Sequence, residues 1–277
     1  MAAMNGPNHP ESAWAIPCLV ALFACVGFAA GPASTQTTAS SDNSAAATSQ
    51  HSAIPAGTIL PVVLRTPVTP TNVKQGQSIH GEIAQDVPLA DGSRIRRGSK
   101  VEGRVVSVVP AFNGVGTQIS IRFDKLYSHG QSIPIITDLR AMAGFMTVVE
   151  AGIPGQGTGE GEVANWLDTT QIGGDSVFGV GGLVENSDHQ VVGKSLVSGG
   201  VLVQARASGK CRGAVDGNDS PQALWVFSAN ACGIYGLANV SLFHAGRTHP
   251  VGTIILELQT HKTKIQDGAG LLLRVIG

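Results

Sequence analysis

Apolar and polar residues alternate along several short segments between residues 54 and 140. In residues 78–86, Ile79, Ile83 and Gln85 fall on one face, and two later segments alternate in the same way. Those segments are residues 100–109 and 118–126. A period of two places the apolar side chains on one side of a β-strand. Regular short strands predict a mainly β fold, a small antiparallel β-barrel or sandwich.

The glycine content supports this prediction. The chain has 36 glycines among 277 residues, and each glycine in a helix costs about 1 kcal/mol relative to alanine. This composition disfavours long helices and favours short strands joined by tight turns. The dipeptide Asp91-Gly92, for example, is typical of a two-residue hairpin turn.

The residues after 140 are predicted to form an insertion followed by a C-terminal β region. Residues 141–200 are rich in glycine, and residues 139–150 at their border fit either a short helix or a strand. A dinucleotide loop must follow a strand and open a helix, but the G-x-G stretch within residues 155–162 is acidic and no strong helix follows it. We therefore expect a flexible loop there and no cofactor.

Five apolar segments in residues 201–277 are predicted to be strands. They are residues 201–207, 223–227, 240–244, 253–258 and 271–276. We expect this region to pack on the barrel formed by residues 54–140, with the last strand returning to close it. A second small β domain is the alternative that the pattern leaves open.

The N-terminus predicts export. Residues 13–30 form an uncharged apolar run, and residues 31–53 are rich in Ser, Thr and Ala, which is typical of a linker. A cleaved signal peptide in residues 1–30 is the preferred interpretation. An uncleaved anchor that contacts the membrane, or a lipoprotein modified at Cys25, are the alternatives. All three place the protein in the periplasm or outer envelope.

The cysteines agree with an oxidising compartment. Cys18 and Cys25 lie in the apolar run, which leaves Cys211 and Cys232 as the pair in the mature chain. An isolated pair in an exported protein predicts a disulfide, here closing a loop of roughly 20 residues. No Cys-x-x-Cys is present, so a zinc site is not predicted.

Charge and motifs exclude several functions. The net charge is −1, so no basic face for nucleic acid is expected. No Gly-x-Ser-x-Gly occurs, and no spacing selects a triad. We predict no catalytic residue and no metal site, and an enzyme is the less favoured interpretation.

A few residues are candidate ligand contacts. An acidic cluster could hold Ca²⁺, although a polar turn is favoured because a calcium loop needs more ligands. A histidine and arginine cluster could bind a metal or an anion, and Trp225 could stack on a sugar or peptide, although a place in the core is favoured for it. The two clusters are Asp216, Asn218 and Asp219, and His244, Arg247 and His249.

Four short blocks carry a resemblance to a known family. They are IPAGT (54–58), GEIAQDV (81–87), RGSKVEGR (97–104), and RFDKL (122–126) followed by GQSI (130–133). In this order they resemble the C-terminal β-barrel of TrbI-like channel components of bacterial conjugation and type IV secretion. The resemblance covers residues 54–136. It implies an envelope protein with a membrane segment, a linker and a barrel that assembles into a ring.

Three functions follow from these observations. The first is a non-catalytic exported cell-envelope protein whose TrbI-like barrel is a scaffold or interaction module, with envelope proteins or further copies of itself as partners. The second is an exported module that binds a polysaccharide or a protein. The third is a secreted hydrolase. Fold resemblance alone does not decide among them.

Overall fold

The computed structural model describes residues 53–153, 168–203, 220–245 and 249–277, without the side chains of residues 244 and 245. All of them belong to one compact unit, Ser49–Gly277. The predicted signal, nearly all of the linker, and the loop at residues 155–162 lie outside the described residues. The mainly β fold that the alternation predicts is confirmed.

The described residues form eighteen strands and one short helix, α1 (Phe145–Ala151). The first nine strands are β1 (Ile59–Leu64), β2 (Ser78–Ile83), β3 (Val87–Pro88), β4 (Arg94–Ile95), β5 (Lys100–Val109), β6 (Thr117–Ser128), β7 (Gln131–Pro134), β8 (Thr137–Ala143) and β9 (Thr169–Thr170). The other nine are β10 (Ser176–Val177), β11 (Leu183–Glu185), β12 (Val191–Ser195), β13 (Val201–Val203), β14 (Gln222–Ala223), β15 (Gly233–Tyr235), β16 (Val240–Ala245), β17 (Ile254–Leu258) and β18 (Gly270–Val275).

Ten strands form one sheet that curls into a nearly closed barrel. Their order is β15-β8-β18-β1-β2-β5-β6-β17-β16, and β7 pairs with β6 outside this path. Neighbouring strands are antiparallel except β15, which is parallel to β8. The last strand of the chain pairs with the first, in a register from Ile59↔Arg274 to Val63↔Gly270.

A second sheet, called the outer sheet below, has six strands in the order β14-β13-β12-β11-β10-β9. Four of them, β9 to β12, lie in a part of the Gly-rich insertion for which the sequence analysis predicted no strands. They are two to five residues long, too short for a period of two to be recognised. A separate two-stranded hairpin pairs β3 with β4.

The outer sheet covers the outside of the barrel wall. All seven residues of β8 and all six residues of β18 are buried. On β18, Leu271 and Leu273 point into the barrel core, whereas Leu272 packs against the outer sheet. Ile59, Ala141 and Ala143 face the same way as Leu272. These strands are therefore apolar on both faces, because a sheet lies over each face.

Residues 139–150, which fit a helix or a strand from sequence, contain parts of both. Strand β8 ends at Ala143, and helix α1 begins at Phe145 after the N-cap residue Gly144. A Cβ atom at Gly144 would lie 2.7 Å from the carbonyl oxygen of Gly236, so only glycine fits at this close approach. No helix in the described part of the chain is long and apolar enough to cross a membrane.

We predict that Phe227→Ala destabilises the protein by about 3–5 kcal/mol, the usual cost of removing a buried phenyl ring. Phe227 is fully buried between the sheets, and a Cβ built on Gly270 of β18 would lie 3.2 Å from its Cζ. The matched control is Phe112→Ala, because Phe112 is 73% exposed in the β5–β6 turn. We expect about 0.5 kcal/mol or less there. Equal losses in chemical denaturation would contradict this account of the core.

Candidate functional site

The outer sheet and residues 224–229 together form an outer layer over the barrel wall. Four charged side chains lie where this layer covers the wall, a region called the joint below. Asp138 of β8 and Arg274 of β18 are directly opposite each other. The Arg274 Nη2 atom donates a hydrogen bond to Asp138 Oδ2 at 2.9 Å, and these side chains are 4% and 0% exposed, respectively. This ion pair is enclosed between the barrel and its cover.

A β-bulge brings a third charge into the joint. Ala141 pairs with Leu272 and Leu139 pairs with Leu273, so Arg140 is the extra residue. Bulges re-aim side chains, and here the outward-facing apolar pattern is interrupted by a guanidinium group. Arg140 Nη2 donates a hydrogen bond to the Ala229 carbonyl oxygen. Burial lowers the pKa of Arg140 to about 10, an effect that nearby Arg274 strengthens and Tyr235 opposes.

The fourth charge, Asp175, holds the same segment from the other side. Its Oδ2 atom accepts a hydrogen bond from the Ala229 amide at 2.7 Å. Burial raises the pKa of Asp175, and the Ala229 amide and Arg140 partly oppose the rise. The Ala229 backbone therefore bonds to Arg140 of the barrel through its carbonyl oxygen and to Asp175 of the outer layer through its amide. All four charged side chains are buried; Arg140 and Asp175 link the two layers through Ala229, and Asp138 and Arg274 pair across two strands of the barrel wall.

Two buried glutamines complete the joint. Gln85 is 2% exposed, and its Oε1 atom accepts hydrogen bonds from the amides of Val201 (3.2 Å) and Trp225 (2.6 Å). Its Nε2 atom donates to the Val201 carbonyl oxygen at 2.9 Å. From the outer sheet, Gln222 Oε1 accepts a hydrogen bond from the Ile59 amide at 3.1 Å. Each layer therefore supplies one amide that bonds the backbone of the other.

Sequence reasoning missed the joint, although one signal was present. Gln85 continues the alternation that places Ile79 and Ile83 in the barrel core, so a polar residue stands where the pattern expects a buried one. A buried amide needs hydrogen-bond partners, so Gln85 indicated a polar contact that the alternation does not explain. The partners themselves, 116 residues or more along the chain, carry no local signal.

A cleft opens beside the joint, between the barrel and the outer sheet. Its volume is about 390 Å³. Ala84 and Arg97 line it from the barrel side, and Thr169, Val177 and Trp225 line it from the outer layer. Because both layers contribute to its walls, the hydrogen bonds of the joint determine its shape.

Trp225 is held in the cleft wall with a strained backbone. Its φ angle is 52°, a left-handed conformation that is rare for a bulky residue. The Gln85 side chain binds its amide, and Gln171 Nε2 donates to its carbonyl oxygen at 2.9 Å. Strain of this kind costs about 1–3 kcal/mol and persists where surrounding bonds enforce it, often at binding sites. The sequence analysis favoured a core position for this residue, and the structure shows it half-buried at the cleft.

The other predicted contacts are not brought together in the described residues. Cys232 is half-buried, and its amide donates to the Tyr235 hydroxyl at 3.0 Å; His249 lies exposed in a turn. His244 belongs to β16, but its side chain is not described. The remaining candidates, Cys211, Asp216, Asn218, Asp219 and Arg247, lie outside the described residues. The disulfide between Cys211 and Cys232 therefore stays a prediction.

Neither a metal site nor a similar known protein assigns a role to these residues. Within the described ranges, no group of three or more His, Cys, Asp or Glu side chains could hold a metal ion. No family model matches the chain, and no curated protein matches it. The resemblance to TrbI-like barrels accordingly stays a hypothesis.

We predict that Gln85→Met destabilises the protein by about 2–4 kcal/mol, because methionine has a similar shape but removes the acceptor that the amides of Val201 and Trp225 share. Hydrogen exchange should accelerate in β13 and at residues 224–226, and stay slow in β5 and β6. The control is Gln131→Met, since Gln131 is exposed on β7. Uniform acceleration across both layers would show that Gln85 does not act at the joint.

We predict a pH-dependent difference between the wild type and Asp175→Asn. Burial raises the pKa of Asp175 above its ordinary value of 3.8. Between the ordinary pKa and the raised pKa, the folded protein keeps a proton that the unfolded chain has lost. The contribution of Asp175 to stability therefore falls as pH rises. Asparagine resembles the protonated form at every pH. The wild type should therefore lose stability relative to Asp175→Asn as pH rises above 3.8 and through the raised pKa of the folded protein.

Denaturant unfolding of both proteins across this range measures the difference. A wild type that gains stability relative to Asp175→Asn as pH rises would mean that attraction to Arg140 exceeds the cost of burial.

Proposed function

We propose that the protein is a non-catalytic exported cell-envelope protein whose barrel is a scaffold for an interaction surface. Its partners are other envelope proteins or further copies of the chain. The apolar run at residues 13–30, the Ser/Thr/Ala-rich residues 31–53 and the four TrbI-like blocks support this proposal from the sequence. In this proposal, residues 31–53 tether the barrel within the envelope.

The observation that carries the proposal is the commitment of buried polar groups to the joint. Asp138, Arg140, Asp175 and Arg274 are side chains that in enzymes transfer protons or bind anions, yet all four are buried between the layers. Gln85 is buried with them and bonds the backbone of the outer layer. Such a network favours one arrangement of two layers over others, since each group is costly to bury without its partner. A constant relative position of two layers suits a scaffold.

The outer sheet carries exposed apolar side chains that suit a partner. Phe178 and Leu183 are neighbours, because the Phe178 amide donates to the Leu183 carbonyl oxygen at 3.0 Å. They are 42% and 51% exposed, and Val197 in the β12–β13 turn is 84% exposed. Exposed apolar groups clustered on one face often mark protein interaction sites. The proposal therefore places the contact with envelope partners on this side of the outer sheet.

We expect the protein extracted from its own envelope in mild detergent to migrate with a native mass many times the 28.4 kDa of the chain. Leu183→Asp should lower that mass, because a charge within the apolar group opposes association. The matched control is Ser187→Asp, at an exposed position in the β11–β12 turn. Release of a monomer without detergent would contradict both the anchored location and the assembly.

A further inference from the structure

The cleft between the barrel and the outer sheet has a chemistry that the scaffold role does not use. We propose that it binds a single aliphatic chain with an acidic head group, such as a fatty acid. Its volume of about 390 Å³ lies at the small end of the roughly 300–1,000 Å³ typical of small-molecule sites. A site of this size suits one acyl chain better than a folded partner.

Most side chains that line the cleft are apolar. Val177 and Val201 form its floor as buried residues, and Val180, Leu196 and Trp225 are partly exposed along its walls. Glycines supply much of the remaining lining. A methylene chain that enters this cleft would exchange water for carbon surface, which is the favourable term of hydrophobic binding.

Several polar groups of the lining are bonded within the protein. Ser195 Oγ donates to the Gly179 carbonyl oxygen at 2.9 Å, and Gln171 Nε2 donates to the Trp225 carbonyl oxygen at 2.9 Å. The Gly179 amide donates to Asp168 Oδ1 at 3.0 Å. A sugar or an extended peptide would bury many hydroxyl or amide groups here against a mainly apolar lining, which is costly. An aliphatic chain has no such groups.

Arg97 contributes a positive charge to the cleft, and this charge favours a ligand with an acidic head group. It is the single charged residue among those that line the cleft in the described part of the chain. Its backbone amide donates to Asp86 Oδ1 at 2.7 Å, while Asp86 Oδ2 pairs with Arg94 Nη1 at 3.2 Å. The Arg97 guanidinium makes no ion pair with a described residue and is exposed. A guanidinium group without a carboxylate partner at the edge of an apolar cleft is complementary to an acid group.

The test is binding of dodecanoate, dodecanol and butanoate to the purified full chain, measured by calorimetry below the micelle concentration. We expect one dodecanoate per chain, weaker dodecanol and no measurable butanoate. Arg97→Gln should weaken dodecanoate about tenfold and leave dodecanol unchanged, because a charged contact is lost. Arg96→Gln is the matched control, since Arg96 is exposed one residue away and does not line the cleft.

Two variants test the cleft itself. Thr169→Trp should fill it and abolish binding of both dodecanoate and dodecanol, whereas Thr170→Trp, on the opposite face of β9, should not. Val180→Asp, at an exposed wall position, tests the same point if Thr169→Trp does not fold. Undiminished dodecanoate binding by the folded filling or wall variant would overturn the proposal. Tighter binding of an oligosaccharide, or of a peptide with an apolar C-terminal residue, would also overturn it.

Discussion

The structure depends on a barrel wall that is buried on both faces. Strands β8 and β18 separate the barrel core from the outer layer, so each of their side chains must find a partner away from water. Leucine and alanine meet this requirement by packing, and the charged residues meet it by pairing. Asp138 and Arg274 bond across neighbouring strands, and Arg140 bonds the covering backbone. Removing one partner of such a set leaves a buried charge without compensation, which costs more than the set contributes when intact.

This constraint explains why polar bonds rather than apolar contacts position the outer sheet. Apolar packing tolerates small shifts, whereas a hydrogen bond weakens steeply with distance and angle. Gln85 bonds both sides of Val201 and also the amide of Trp225, so it defines the register between layers. Trp225 keeps its left-handed backbone because Gln85 and Gln171 hold it at both ends. Buried polar residues thus specify one arrangement where an all-apolar contact would permit several.

The cleft follows from the same arrangement. Where the outer sheet and the barrel separate, small residues such as Ala84 and Gly199 line the cleft, and a Cβ atom built on Gly199 would meet no atom within 4 Å. Most of the side chains around this space are apolar, and Arg97 adds one positive charge. A rigid scaffold and a small apolar cleft are compatible, because the bonds that make the layers rigid also keep the cleft open.

The sequence alone determined the β class and most barrel strands, because a period of two records which side of each strand meets a core. The last strand was predicted from the apolar run at residues 271–276, which does not alternate. The sequence did not determine β8, since burial on both faces removes the alternation, nor β9 to β12, which are too short to show a period. The joint could not be predicted from the sequence either. Its one local signal was Gln85, a polar residue at a position where the alternation predicts an apolar one. Asp138 and Arg274 lie 136 residues apart, and Gln85 and Val201 lie 116 apart. The local sequence pattern indicates that a side chain is buried, but only the tertiary structure decides which distant group contacts it.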